Sequence, residues 1–237
     1  MTPEQSLGPA SDLVFTRLDL PQLPRIAIED LVAWMTNGGR DVIREHALHQ
    51  KNMPGVQYPW RAVTVCENNH WEESFEHCFP ELRAYVDLFP TTRWRKIALL
   101  AQLPGEDVFL HTDPDFGVGW RIYLNHGGPR LYFQKFKERR AERPSTWLSG
   151  GPSAIESLCQ AERHYVEEAG TFPWALTSIR AAHGVEPHHS DVGARITMLL
   201  FPDRGFVDRE AHVELLLRSA RTYADSAIWW SESNQMA

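Results

Sequence analysis

The chain has 237 residues, 43% hydrophobic and 23% charged, the balance of a folded globular protein and not of a disordered one. Its formal net charge is −7, with 24 Lys and Arg against 31 Asp and Glu, so the basic footprint of a nucleic-acid binder is missing. No apolar run approaches the roughly 20 residues of a membrane span, and Cys66, Cys78 and Cys159 are too few and too scattered for a disulfide framework.

Residues 1–12 read as a polar tail without an apolar core behind a basic start, and the three scattered cysteines make a reducing cytoplasm the expectation. A helix is predicted over Ile26–Thr36, where Ile26, Ile28, Leu31, Val32 and Met35 fall on one face, with Asn37-Gly38-Gly39 as its stop. Arg61–Cys66 alternates like a strand, and a second helix is expected over Pro80–Leu88, Pro80 opening it and Pro90 lying beyond its end. After Arg93 the texture turns to strands: Lys96–Leu103, Asp107–Thr112, Trp120–Leu124, Leu131–Phe133, Leu176–Val185 and Ala194–Phe201. Turn residues at Pro104-Gly105, Pro114 to Gly119 and His126 to Pro129 separate them.

Within this run, Lys135–Arg143 is basic and Ser153–Ala169 reads as an amphipathic helix, with Ser153 and Glu156 as a capping box. Residues 135–169 are therefore expected to be an insertion between strands. Asp208–Trp230 is predicted helical, with Val213, Leu216, Leu217 and Ala220 as its apolar stripe. The expected organisation is one domain over 1–237. Residues 13–92 form a supporting layer, 93–203 the β core, and 208–230 a closing helix.

Eleven histidines invite a search for metal or proton chemistry. In Phe109-Leu110-His111-Thr112-Asp113-Pro114, His111 and Asp113 are two apart on a predicted strand, so both side chains share a face. Pro114 ends the strand and places the pair at a rim. Two imidazoles and one carboxylate form the facial triad that holds non-haem Fe(II) with positions left open. His183, in Ala181-Ala182-His183-Gly184-Val185, is the candidate third member. Twelve residues on stands Arg195-Ile196-Thr197. If the chain turns near His189, His183 and Arg195 face each other across an antiparallel hairpin. A buried guanidinium is costly unless it meets an anion, and its planar fork suits a carboxylate, with Thr197 on the same face able to add a hydroxyl.

Taken together, LPGEDVFLHTDPD, GWRIYLN, GGPRLYF, HGVE and GARIT, spread over Arg95–Phe201, resemble the Fe(II)/2-oxoglutarate-dependent oxygenase superfamily. The Leu103-Pro104-Gly105 turn and the Arg121-Ile122-Tyr123-Leu124 strand are similar to aspartyl/asparaginyl β-hydroxylase-like enzymes. Tyr123-Leu124-Asn125 and Gly127-Gly128 are similar to prolyl 4-hydroxylase-type domains; segment 135–169 departs from both. The resemblance implies a mainly β fold with flanking helices, a double-stranded β-helix of jelly-roll, cupin-like form. It implies His111, Asp113 and His183 as ligands of Fe(II), and Arg195 assisted by Thr197 on the distal carboxylate of the cosubstrate 2-oxoglutarate. Tyr123 or Arg121 would add a second cosubstrate contact, and O2 would be consumed as 2-oxoglutarate is decarboxylated to succinate. Related halogenases lack the carboxylate at the position of Asp113, so its presence favours hydroxylation over halogenation, with desaturation and ring formation left open by the same chemistry.

The substrate class expected is a small, amino-acid-like metabolite, with Trp120 and Arg121 as its contacts. A peptide or protein residue is the second class, a non-oxidative cupin-like metal-binding barrel the alternative, and a metal-assisted isomerase or hydrolase the third choice. Nothing in the sequence sets an oligomeric state. Other signals read more plainly: His188 and His189 beside Glu186 and Asp191 as an exposed loop, His46 and His49 as a surface helix, and His126 as part of a turn. Trp60, Trp94, Trp147 and Trp174 are further candidates for substrate walls, though tryptophan commonly serves as core.

Overall fold

The computed structural model describes residues 12–37, 61–102, 104–105, 108–111, 119–124, 130–137, 151–166, 171–176, 181–187 and 193–230. Eight strands carry the architecture: β4 (Trp94–Gln102), β5 (Val108–His111), β6 (Gly119–Tyr123), β7 (Leu131–Lys135), β8 (His164–Val166), β9 (Phe172–Leu176), β10 (Ala181–Val185) and β11 (Arg195–Pro202). Preceding them are β1 (Leu13–Arg17), β2 (Arg61–Glu67) and β3 (His70–Trp71), and β12 (Ile228–Trp229) follows. The larger sheet runs β12-β1-β9-β6-β11-β4-β2-β3 and the smaller β5-β10-β7-β8, with every pairing antiparallel.

From β4 to β11 the chain passes back and forth between the sheets, with β4, β6, β9 and β11 in one and β5, β7, β8 and β10 in the other. Two four-stranded sheets wound in this alternating order make the double-stranded β-helix, or jelly roll, that the resemblance implied. β1, β12, β2 and β3 only widen the larger sheet.

Five helices flank the sheets among the described residues: α1 (Ile28–Asn37), α2 (Glu73–Cys78), α3 (Pro80–Val86), α4 (Gly151–Leu158) and α5 (Arg209–Thr222). None is long and apolar enough to cross a membrane. Period-two alternation divides the apolar residues into three layers. Ile97, Leu99, Trp120, Ile122, Ile196, Met198 and Leu200 face α1, α2, α3 and α5 through Leu31, Phe75, Leu82, Leu215 and Leu216. Between the sheets lie Phe15, Val108, Tyr123, Leu131, Phe133, Phe172, Trp174 and Val185. Leu110, Tyr132, Phe136 and Ala182 pack outward on Ile155 and Cys159 at the α4 side. α5 is capped by Asp208, whose carboxylate accepts from the Ala211 N–H at 3.1 Å.

Four expectations need correction. Leu176–Val185 is not one strand, because Leu176 ends β9 in the larger sheet and Ala181 begins β10 in the smaller. Consequently β10 and β11 do not form a hairpin: β10 pairs with β5 and β7, and β11 with β4 and β6. Segment 135–169 is not wholly an insertion, since its helix ends at Leu158 and β8, the edge strand of the smaller sheet, lies within it. The C-terminal helix stops at Thr222 before β12, and its buried face is Leu215, Leu216, Ser219 and Ala220, leaving Val213 42% exposed.

Candidate active site

His111 and His183 are direct cross-strand partners on β5 and β10. Their ring centroids lie 4.3 Å apart and both residues are buried. A bulge makes this possible. Between the pairs His183↔His111 and Val185↔Val108, β10 advances two residues while β5 advances three. Unbroken alternation from the inward-facing Val108 would turn His111 outward. The extra residue instead sends Leu110 out to the α4 layer and brings His111 to the side of His183. Phe133, next along the same row on β7, packs against the His183 ring at 6.0 Å. Behind the pair, Gly184 admits a close approach: a Cβ there would lie 2.5 Å from Tyr132 Oη and 2.9 Å from the Val108 carbonyl oxygen. Glycine thus lets β5 and Tyr132 close on β10 at the histidine pair.

Across the interior, the larger sheet presents Arg195, which is buried. Its Nη1 donates to Gln102 Oε1 at 3.0 Å, and Gln102 is its direct cross-strand partner on β4. Its Nη2 donates to the hydroxyl of Tyr123 on β6, and its guanidinium lies 4.4 Å from the Tyr123 ring centroid. Nε is buried and makes no hydrogen bond, and no carboxylate among the described residues pairs with this cation. Thr197 is buried on the same face and is the cross-strand partner of Tyr123.

The larger sheet therefore gathers Arg195, Thr197 and Tyr123 as expected, and adds Gln102, which sequence reasoning missed. Its one signal was a polar residue closing the otherwise apolar Ile97–Ala101 run. His111 and His183 are gathered on the smaller sheet. Asp113 lies outside the described residues, and among the described residues no cluster of three His, Cys, Asp or Glu is present. His46, His49, Trp60, His126, Trp147, His188, His189 and Asp191 also lie outside them.

Arg121 shares the inner face, cross-strand from Leu199, which is two residues further along β11 than Thr197. It is buried, donates through Nη1 to the Trp120 carbonyl at 2.8 Å and lies 5.0 Å from the Phe201 ring centroid. Trp120 is not brought to the site. It is fully buried on the opposite face of β6, among Phe89, Trp94 and His212 at centroid distances of 5.3, 6.0 and 5.3 Å. Trp94 sits in that same layer, whereas Trp174 lies between the sheets, 5.5 Å from Tyr123.

The three free cysteines offer no competing centre. Burial pushes the thiols of Cys66 and Cys159 up to about 11, which disfavours the nucleophilic thiolate, and Cys78 is exposed.

The donor set suits a ferrous ion and an organic anion. Two adjacent buried imidazoles supply nitrogen donors from one sheet. The unused, desolvated N–H of Arg195 on the other sheet calls for a negatively charged acceptor.

No protein-family model and no curated protein matches the chain. Several solved structures are similar to it. The non-heme alpha-ketoglutarate-dependent carbocyclase SnoK from nogalamycin biosynthesis shares 13% identity over 81% of this chain and 80% of its own, with a TM-score of 0.43. A Pseudomonas putida prolyl-4-hydroxylase shares 16% over 82% and 94%, at 0.37. A 2OG-Fe(II) oxygenase family oxidoreductase from Burkholderia pseudomallei shares 12% over 79% and 96%, at 0.36.

Proposed function

We propose that this chain is a non-haem Fe(II)- and 2-oxoglutarate-dependent dioxygenase that hydroxylates a C–H bond of an amino acid or related small metabolite. The reading is carried by one observation: a buried cross-strand histidine pair on one sheet and, on the sheet facing it, a buried arginine whose Nε has no partner. His111 and His183, joined by Asp113, would hold the iron. Arg195, with Thr197 and Tyr123, would take the far carboxylate of 2-oxoglutarate. Fe(II) and 2-oxoglutarate held there would supply, with O2, the oxidising power for C–H hydroxylation, with succinate and CO2 as co-products.

The chain's own residues have three tasks here. The bulged β5 and Gly184 hold the two imidazoles together at 4.3 Å. The phenol of Tyr123 accepts from Arg195 and fixes the guanidinium, whose Nε–H would be aimed at the anion. Phe133, Phe172 and Trp174 line the interior between the sheets with apolar surface, which strengthens each of these polar contacts. Stacked sheets lie about 10 Å apart, a gap that facing side chains and a short dicarboxylate can fill.

Arg195 favours this reading over a cupin-like barrel that only holds metal, which has no use for a desolvated guanidinium. Arg121, on the same inner face, supports an amino-acid-like substrate whose carboxylate it would meet. Side chains from residue 13 to residue 220 share the core under the helices, which supports one oxygenase domain over 1–237.

Anaerobic titration of the protein with Fe(II) and 2-oxoglutarate tests the proposal. A visible metal-to-ligand charge-transfer band is expected. It should be lost in His111→Ala, Asp113→Ala and His183→Ala together with succinate formation. A folded wild-type protein that shows no band at saturating iron and keto acid would overturn it.

A further inference from the structure

Buried arginines are ordinarily offset by a carboxylate. Arg195 is held instead by two neutral groups, the Gln102 amide and the Tyr123 phenol. A guanidinium only donates, so the amide must turn its oxygen toward Nη1, as it does at 3.0 Å. Gln102 is itself buried and stands directly across from Arg195 in the β4–β11 ladder, so its side chain has little freedom to leave. Glutamate has the same shape and would reach the same nitrogen, but it would cancel the charge. We infer that Gln102 is a specificity-determining residue: its neutral amide holds the Arg195 fork while leaving the full positive charge for a bound dicarboxylate. This rests on the reading of Arg195 as the cosubstrate anchor.

Glutarate is a suitable probe because it carries both carboxylates without the metal-chelating keto group. Its binding to the full-length protein is measured by calorimetry and thermal shift, alongside 2-oxoglutarate. Q102E is expected to raise the melting temperature of the ligand-free protein, since the buried cation gains a counter-ion, and to weaken glutarate binding by about tenfold or more. A packing defect would instead lower the melting temperature of the ligand-free protein. Q102M removes the hydrogen bond without adding charge and is expected to bind glutarate within about tenfold of wild type. Glutarate binding by Q102E within about tenfold of wild type, or a greater loss in Q102M, overturns the inference. If Q102E fails to fold, the Q102M result decides alone. Absence of binding of either dicarboxylate to wild type would instead overturn the assignment of Arg195 itself, whatever the variants do.

Discussion

The two faces of the larger sheet are built from the same strands and have different occupations. On β11, Ile196, Met198 and Leu200 point to the helices, and Arg195 and Thr197 point between the sheets. On β6, Trp120 and Ile122 take the helix side, and Arg121 and Tyr123 the inner side. The helix face is hydrocarbon and aromatic, with burial as its main stabilising term. Across the inner face runs the hydrogen-bonded set of Gln102, Arg195 and Tyr123. A one-residue step along a strand therefore separates a residue packed under the helices from one that faces the candidate site.

Neighbouring substitutions should break that symmetry most visibly. Met198→Ala, fully buried under the helices, is expected to cost about 2–5 kcal/mol in urea unfolding and to leave 2-oxoglutarate affinity unchanged in the folded fraction. Thr197→Val, one residue away, should cost about 1 kcal/mol or less and weaken 2-oxoglutarate about tenfold by loss of one hydrogen bond to a charged group. If the two effects were exchanged, the division between the faces would be wrong.

Trp120 gives a smaller test. Its indole packs on Phe89, Trp94 and His212, so Trp120→Phe should lower stability by about 1–2 kcal/mol. Because that face is turned away from the site, kcat/KM should stay within about twofold. A selective loss of turnover in a stably folded variant would restore Trp120 to the substrate wall.

How much of this could be read from the sequence depends on what alternation reports. It reports the face of a strand, so a spacing of two puts Arg195 and Thr197 on one face, as β11 does, and Pro104-Gly105, with Gly105 at φ 81°, marks a turn. It does not report which strand lies beside which. Hence a spacing of twelve residues suggests one hairpin for His183 and Arg195, although they belong to opposite sheets. Phe172-Pro173-Trp174 carries a proline that argues against an inner strand, yet it runs between β1 and β6. β8 and β12, at three and two residues, are too short to show any period. The β5 bulge is invisible to a period-two reading, which would have turned His111 away from Val108's side. Gln102 is hard to read because its partner is 93 residues distant and its only local mark is a polar residue closing an apolar run.

The smallest expected effect concerns pH and again separates the faces. His212 on α5 is packed against Trp120, and its Nδ1 is buried without a hydrogen bond. Burial lowers its pKa to about 4. An unfolded histidine titrates near about 6.5, so between that value and about 4 the unfolded chain binds the proton that the folded chain refuses. Stability must then fall as pH is lowered through this window and be insensitive to His212 above it. Measured between about pH 6.5 and 5, before most carboxylates titrate, the melting temperature should fall more steeply in wild type than in His212→Leu. Parallel curves would show that the imidazole is solvated in the native state and that the helix side is less tightly closed than its packing with Trp120 indicates. A steeper wild-type curve would place an acid-sensitive contact on the structural face, on the opposite side of the sheet from Arg195.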